Sequence, residues 1–169
     1  MKPKLDELTK ILGRHVGRYE DLAELLHQEQ TALIEMDLDR LHEVAKAKEA
    51  VVLEIKRSLP ELTRCIKEAA AALNLPAEPL PTLAELSRAA PQPWFTSLNQ
   101  AGVALARLKR NTARHNEANH SFVQEALELV TSSIAILTGA AAIHQENYRP
   151  DGQQVPASTF GPTKLSREV

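Results

Sequence analysis

The apolar residues of this chain recur about every 3.5 positions, and this regular spacing is interrupted close to residue 36. In the first segment, residues 4–36, the spacing produces two alternating rows, Leu5, Leu12, Tyr19, Leu26 and Leu33 in one and Leu8, His15, Leu22, Glu29 and Met36 in the other. Such a repeat is typical of helices that pack along a coiled-coil seam. The pattern resumes at Leu38 almost at once. A connection this short between two long helices predicts an antiparallel hairpin.

The second segment, residues 38–74, carries the same repeat. Its rows are Leu38, Ala45, Val52, Leu59, Ile66 and Leu73, and Leu41, Lys48, Ile55, Leu62 and Ala69. Asp37 or Asp39 can cap its start, because a short carboxylate accepts hydrogen bonds from free N–H groups there. Pro60 lacks an N–H and is expected to kink the helix or to restart it. Lys48 is expected to extend to solvent or to pair with an acid across the interface.

A proline-rich segment, residues 76–93, separates this hairpin from the rest and predicts a crossover loop. Within it, Thr82 and Glu85 have the spacing of a capping box, which predicts one or two helical turns from about Leu83 to Ala89.

The third segment, residues 93–147, is the longest. Its rows are Trp94, Ala101, Leu108, His115, Phe122, Leu129, Ile136 and Ile143, and Leu98, Leu105, Thr112, Asn119, Ala126, Ser133 and Ala140. The tail, residues 149–169, is rich in Pro, Gly, Ser and Thr and is expected to be flexible. We therefore predict an all-α fold: an antiparallel three-helix coiled-coil bundle with a long C-terminal helix, forming one domain over residues 1–148.

Composition excludes several classes of function. The 20 basic and 22 acidic residues are mixed and leave a net charge of −2, so neither nucleic acid nor an anionic membrane is an expected partner. The single cysteine, Cys65, excludes an internal disulfide and suits a reducing compartment. The N-terminus has no apolar signal segment, and the apolar run 134–143 is too short to span a bilayer. We expect a soluble, cytoplasmic protein without stable membrane insertion.

Two Glu-x-x-His pairs, Glu24/His27 and Glu117/His120, resemble half-sites of di-iron proteins. The heptad register puts all four residues on the solvent side, so we expect no metal, no cofactor and no catalysis from them. Cys65 is expected to be a small buried residue. His115, Asn119 and Thr112 fall in the seam, where a polar layer that fixes helix register is favoured over a ligand site.

The third helix, of about 54 residues, is longer than the first two, of about 32 to 36, or roughly 80 Å against 50 Å. Its last turns would therefore pass the hairpin tip near Met36. There Val123, Leu127, Val130, Ile134 and Leu137 form an apolar stripe beside the row that contains Phe122, Leu129 and Ile136. An unpartnered apolar face predicts an interaction site. A partner protein, the crossover loop or a second copy of the chain are all possible occupants at this point.

Three stretches, read in order, resemble the FlgN family of flagellar export chaperones. They are LLHQEQTALIEMDLDRLHEVAKAKEAVVLEI (residues 25–55), NEANHSFVQEALELVTSSIAIL (residues 116–137) and the ending ENYRPDGQ (residues 146–153). The resemblance implies a non-enzymatic cytosolic chaperone for the hook–filament junction proteins FlgK and FlgL. It implies that these clients bind the C-terminal helical region, about Ser121 to Ile143, and that Tyr148 docks on the export gate protein FlhA. The client-binding residues expected from the stripe and this region are Phe122, Val123, Leu127, Val130, Ile134 and Leu137.

Other functions remain open from the residues alone. A FliT-like or other type III export chaperone would share the hairpin and the apolar last helix. A structural coiled-coil adaptor would instead dimerise through the third helix. In the absence of client, the chain could also form a homo-oligomer. A di-iron enzyme would require the Glu-x-x-His pairs to converge inside the bundle.

Overall fold

The computed structural model describes residues 1–76 and 78–138 of the chain. Four helices account for most of them: α1 (Lys2–Glu35), α2 (Leu38–Ala72), α3 (Leu83–Ala89) and α4 (Trp94–Leu137). No strand occurs among the described residues, and the all-α prediction is confirmed. None of these helices is long and apolar enough to cross a membrane. The chain divides into two compact units, Met1–Val123 and a second that begins at Gln124.

The turn between α1 and α2 is as tight as the sequence predicts. Met36 adopts a left-handed conformation (φ 55°) that ends α1. Asp37 then caps α2, because its Oδ1 accepts a hydrogen bond from the Arg40 N–H at 3.0 Å. The ion pair Lys4–Glu68 joins the start of α1 to the end of α2, and Arg18–Glu54 joins the middles of the two helices. These contacts make α1 and α2 an antiparallel hairpin.

Helix α4 runs in the same direction as α1 through the first unit. Trp94 Nε1 donates a hydrogen bond to Asp6 Oδ1 (2.8 Å) near the start of α1, and Asn119 reaches the Leu26 carbonyl further along. The main core lies at the end of the unit where α1 starts and α2 ends. It contains Leu5, Leu8, Ile11, Leu12, Cys65, Ile66, Ala69, Ala70, Leu86, Ala90, Leu98 and Leu105. A smaller cluster, Leu22, Leu26 and Ile55, continues between α1 and α2.

The proline-rich crossover contains the short helix that was predicted. The capping box is present at α3, where the Glu85 N–H donates to Thr82 Oγ1 (3.2 Å) and the Thr82 N–H donates to Glu85 Oε2 (2.7 Å). Leu86 is fully buried in the main core. Gly102 of α4 faces α3, where a Cβ would make an ordinary contact with the Leu83 Cβ at 3.4 Å. The crossover is therefore part of the packed unit.

Helix α2 departs from the predicted heptad seam. Leu38, Ala45 and Leu59 were predicted to be core positions and are exposed, as is Met36 at the end of the α1 row. The predicted row members Ile55 and Ile66 are buried, and so is Val44, which was in neither row. Their spacing of 11 residues corresponds to about 3.67 residues per turn, close to the natural 3.6 of a straight helix. A strict 3.5-residue repeat therefore drifts off the buried side of α2. Pro60 lies within α2 and does not split it.

His15 is a buried titratable side chain between α1, α2 and α4. Its Nε2 lies 3.1 Å from Ser58 Oγ of α2. Burial lowers the pKa of His15; the Ser58 hydrogen bond opposes this, and the positive charges of Arg18, Arg14 and, on α4, Lys109 add to the lowering.

We expect the free energy of unfolding to decrease as the pH falls below the ordinary histidine value of 6.5. There the unfolded chain binds a proton that the folded His15 does not, and above 6.5 this effect vanishes. His15→Gln should flatten this part of the pH profile of urea unfolding, whereas His27→Gln, at an exposed position, should not. An unchanged slope in His15→Gln would assign the pH dependence to other groups.

Candidate functional site

The second unit presents a broad apolar surface on α4. Between residues 124 and 137, six large apolar side chains are exposed: Leu127, Leu129, Val130, Ile134, Ile136 and Leu137. Their exposed fractions run from 54% at Ile134 to 85% at Leu137. We refer to these six side chains as the apolar face. No side chain of the described residues 124–138 is buried.

The apolar face is wide. At about 100° per residue, the six side chains cover about half of the circumference of the helix. Glu125, Glu128 and Thr131 lie on the other half. A helix that packs on one protein core typically needs an apolar stripe of about 100°. A half-circumference face is wide enough to contact more than one helix of a partner.

The residues predicted to bind clients have the exposure that binding requires. Leu127, Val130, Ile134 and Leu137 belong to the apolar face. Phe122 and Val123, at the end of the first unit, are 43% and 36% exposed. Exposure makes all six accessible to a partner, and their role in binding remains a prediction.

The row Phe122, Leu129 and Ile136 was predicted to be part of the core, and this prediction is wrong. All three side chains are exposed, Leu129 and Ile136 at 70% each. A heptad pattern predicts which side of a helix can be buried. It does not show whether another element covers that side.

A polar cluster closes the first unit near the hairpin tip. The Asn119 amide donates to the Leu26 carbonyl oxygen and to Glu29 Oε2, both at 3.0 Å. Lys48 Nζ forms an ion pair with the other Glu29 oxygen, which is one of the two arrangements expected for this lysine. The three side chains join α4, α1 and α2, and Asn119 is 4% exposed. A cleft of about 330 Å³ opens beside them, with walls that include Leu33, Leu41 and Val123.

The predicted polar layer is only partly reproduced in the structure. Asn119 and Thr112 are buried, whereas His115 is half-buried. The hydrogen bonds of Asn119 to two sites on α1 fix the register between α4 and α1, as a polar seam residue does in a coiled coil. The periodicity placed Glu29 in the seam, and Lys48 was expected to extend to solvent or to pair with an acid. That Glu29 is this acid and also accepts a hydrogen bond from Asn119 was not predicted. A lysine and a glutamate in seam positions of neighbouring helices were the available indication.

The remaining side chains that could support chemistry lie apart. Glu24, His27, Glu117 and His120 are all exposed, as the register predicted. Within residues 1–76 and 78–138, no three His, Cys, Asp or Glu side chains are grouped so as to hold a metal ion. Cys65 is buried as expected, and burial raises the pKa of its thiol, with the charge of Glu7 adding to the effect. Tyr148 and the tail 149–169 lie outside the described residues.

Comparison with known proteins gives one match. The family model described as FlgN protein matches residues 1–156, most of the chain. No curated protein and no solved structure matches it significantly.

Proposed function

The chain belongs to the FlgN family of flagellar export chaperones, and on this premise we propose a specific chaperone role for it. It holds hook-associated flagellar proteins similar to FlgK and FlgL in the cytoplasm and delivers them to the flagellar export gate. In this proposal α1, α2 and the first part of α4 form a three-helix bundle, and the part of α4 from Gln124 onward binds the client. The protein acts by binding and release, without catalysis or a cofactor.

The apolar face of residues 124–137 carries the proposal. Each of its side chains is more than half exposed, so binding a partner removes apolar surface from water at about 25 cal/mol per Å². The clients implied by the family present C-terminal helices, and amphipathic helices bind to other helices through matching apolar faces. Binding to this face also covers the client helices, which prevents them from assembling before export.

The proposal is tested by sedimentation velocity of the full chain with the C-terminal segment of a FlgK-like protein. We expect a stable complex with that segment and none with an N-terminal segment of the same client. A chain that forms a dimer and binds neither segment would support the structural adaptor instead. Binding of a different class of flagellar client would support the FliT-like alternative.

Delivery to the gate is proposed to depend on Tyr148, which lies within the matched family region. We expect Tyr148→Ala to leave thermal stability and client affinity nearly unchanged and to weaken binding to the cytoplasmic domain of FlhA. An aromatic ring with a polar tip suits a small contact with a second partner. Calorimetry against each partner measures this, with Tyr148→Phe as the control that keeps the ring.

Two results would contradict this role of Tyr148. Equal losses of client and gate affinity would make the residue structural. If neither affinity decreases, Tyr148 does not take part in docking to the gate.

A further inference from the structure

The first part of α4 is unusually basic for this chain. Residues 94–116 contain four basic residues and no acidic one, although the whole chain has a net charge of −2. Arg107, Arg110 and Arg114 follow the spacing i, i+3, i+7, which places them along one side of the helix. All three are exposed. We refer to them as the arginine row. Lys109 points elsewhere, with its Nζ 5.6 Å from the centroid of the Tyr19 ring.

The charges of the arginine row are not neutralised within the described part of the chain. Seven ion-pair contacts occur among the described residues, and none involves Arg107, Arg110 or Arg114. Only Arg114 makes a side-chain hydrogen bond, from Nη2 to Asn111 Oδ1 at 3.4 Å. The three guanidinium groups are therefore available to an external anion.

The surface around the arginine row is open and accessible. The row borders an open depression of about 480 Å³, whose other lining residues are Leu108 and Asn111. One turn before Arg107, Val103 extends the same side of the helix and is 62% exposed. The row thus combines fixed positive charge with an accessible apolar side chain over about 17 Å of helix, from Val103 to Arg114.

We propose that the arginine row binds an acidic amphipathic helix of a second protein, independently of the apolar face. A helix lying along α4 can present carboxylates at the same i, i+3 or i+4 spacing as the arginines. Guanidinium groups suit this role because each can donate two parallel hydrogen bonds to one carboxylate. An apolar residue of the partner helix would cover Val103.

The charge of the rest of the chain favours a short acidic helix over an extended polyanion. Since residues 94–116 are basic and the chain is acidic overall, the remainder of the chain is more acidic still. Glu117 lies on α4 directly after this basic stretch, and Glu20, Asp21 and Glu24 are exposed on α1. A nucleic acid or an anionic bilayer would extend past the row to Glu117, which follows Arg114 at i+3 on the same side of α4, whereas a helix of about three turns matches the length of the row. Beyond about 8 Å, other charges are largely screened at physiological salt.

The test uses a designed helical peptide with glutamates at i, i+4 and i+7 and one leucine, and a scrambled peptide of the same composition. We expect the full chain to bind the helical peptide and to bind the scrambled one more weakly. Arg107→Glu/Arg110→Glu/Arg114→Glu should lose at least about tenfold in affinity, or about 1.4 kcal/mol. The matched control, Arg57→Glu/Lys67→Glu/Arg88→Glu, reverses three exposed charges outside the row. It should bind like the wild type.

Several outcomes would overturn the proposal. Equal losses in the two triple variants would mean a nonspecific effect of net charge, and equal binding of both peptides would mean that no helix is recognised. Row-dependent binding of single-stranded DNA or phosphatidylglycerol vesicles, but not of the helical peptide, would assign the row to a nucleic acid or a membrane. Circular dichroism confirms that each variant is folded. Ile134→Asp/Leu137→Asp should leave peptide binding unchanged, which separates the row from the client site.

Discussion

Replacing Ile134 and Leu137 together by aspartate should abolish client binding and leave the helical content of the chain largely intact. Both side chains are mostly exposed in the free protein, so their replacement removes little packing there. In the complex, two carboxylates would have to enter an apolar interface, at a cost of several kcal/mol. We expect a loss of more than about 100-fold in affinity for the client segment, measured by calorimetry.

The matched control places two aspartates on the other half of the same helix. Thr131→Asp/Ser132→Asp adds the same charge within the same turns at exposed positions and should bind the client almost as well as the wild type. If Ile134→Asp/Leu137→Asp unfolds the protein, these residues belong to a core and the client site lies elsewhere. If it folds and still binds the client normally, the apolar face is not the site.

Asn119→Asp should cause the second large effect, a loss of about 2–4 kcal/mol in the free energy of unfolding at neutral pH. The amide of Asn119 donates two hydrogen bonds, whereas a carboxylate can only accept. The variant would leave the Leu26 carbonyl without this donor and bring a second negative charge to about 3 Å from Glu29. Urea unfolding measures the loss.

The pH dependence of this variant identifies its cause. Glu29 disfavours the charged form of the new aspartate and raises its folded-state pKa. The stability deficit should therefore be small at low pH, should increase as the pH rises above the ordinary aspartate pKa of about 3.9, and should level off above the folded-state pKa. Asn116→Asp, one turn earlier at an exposed position, should change stability by less than about 0.5 kcal/mol. Equal effects at the two positions would show that Asn119 does not fix the register.

Local signals predicted the elements of the first unit well. Asp37 caps α2, and the Thr82/Glu85 pair caps a helix with the predicted bounds Leu83–Ala89. In α1, Leu5, Leu8, Leu12, Leu22 and Leu26 are buried as the rows require. These predictions depend on neighbours within one or two turns, which a sequence displays directly.

The sequence was less informative where distant parts of the chain decide the outcome. The buried side of α2 follows an 11-residue spacing, so Val44 is buried where Ala45 was expected. Leu129 and Ile136 follow the heptad pattern and are nevertheless exposed, because a pattern shows which side of a helix can be buried and not whether another element covers that side. The arginine row was overlooked because basic and acidic residues are balanced over the whole chain. The absence of acids from residues 94–116 would have revealed it.

The continuity of α4 has a consequence for the entropy of client recognition. An isolated helix of about 14 residues is marginal in water, because its first turn must form at a high cost in backbone freedom. Residues 124–137 also contain the β-branched residues Val130, Thr131, Ile134 and Ile136, which lower helix propensity. In α4 they continue a helix that has already begun at Trp94, so each adds to an existing nucleus. In the proposed complex, the client would meet a surface that is already ordered, and less of the binding free energy would be lost to ordering the chaperone.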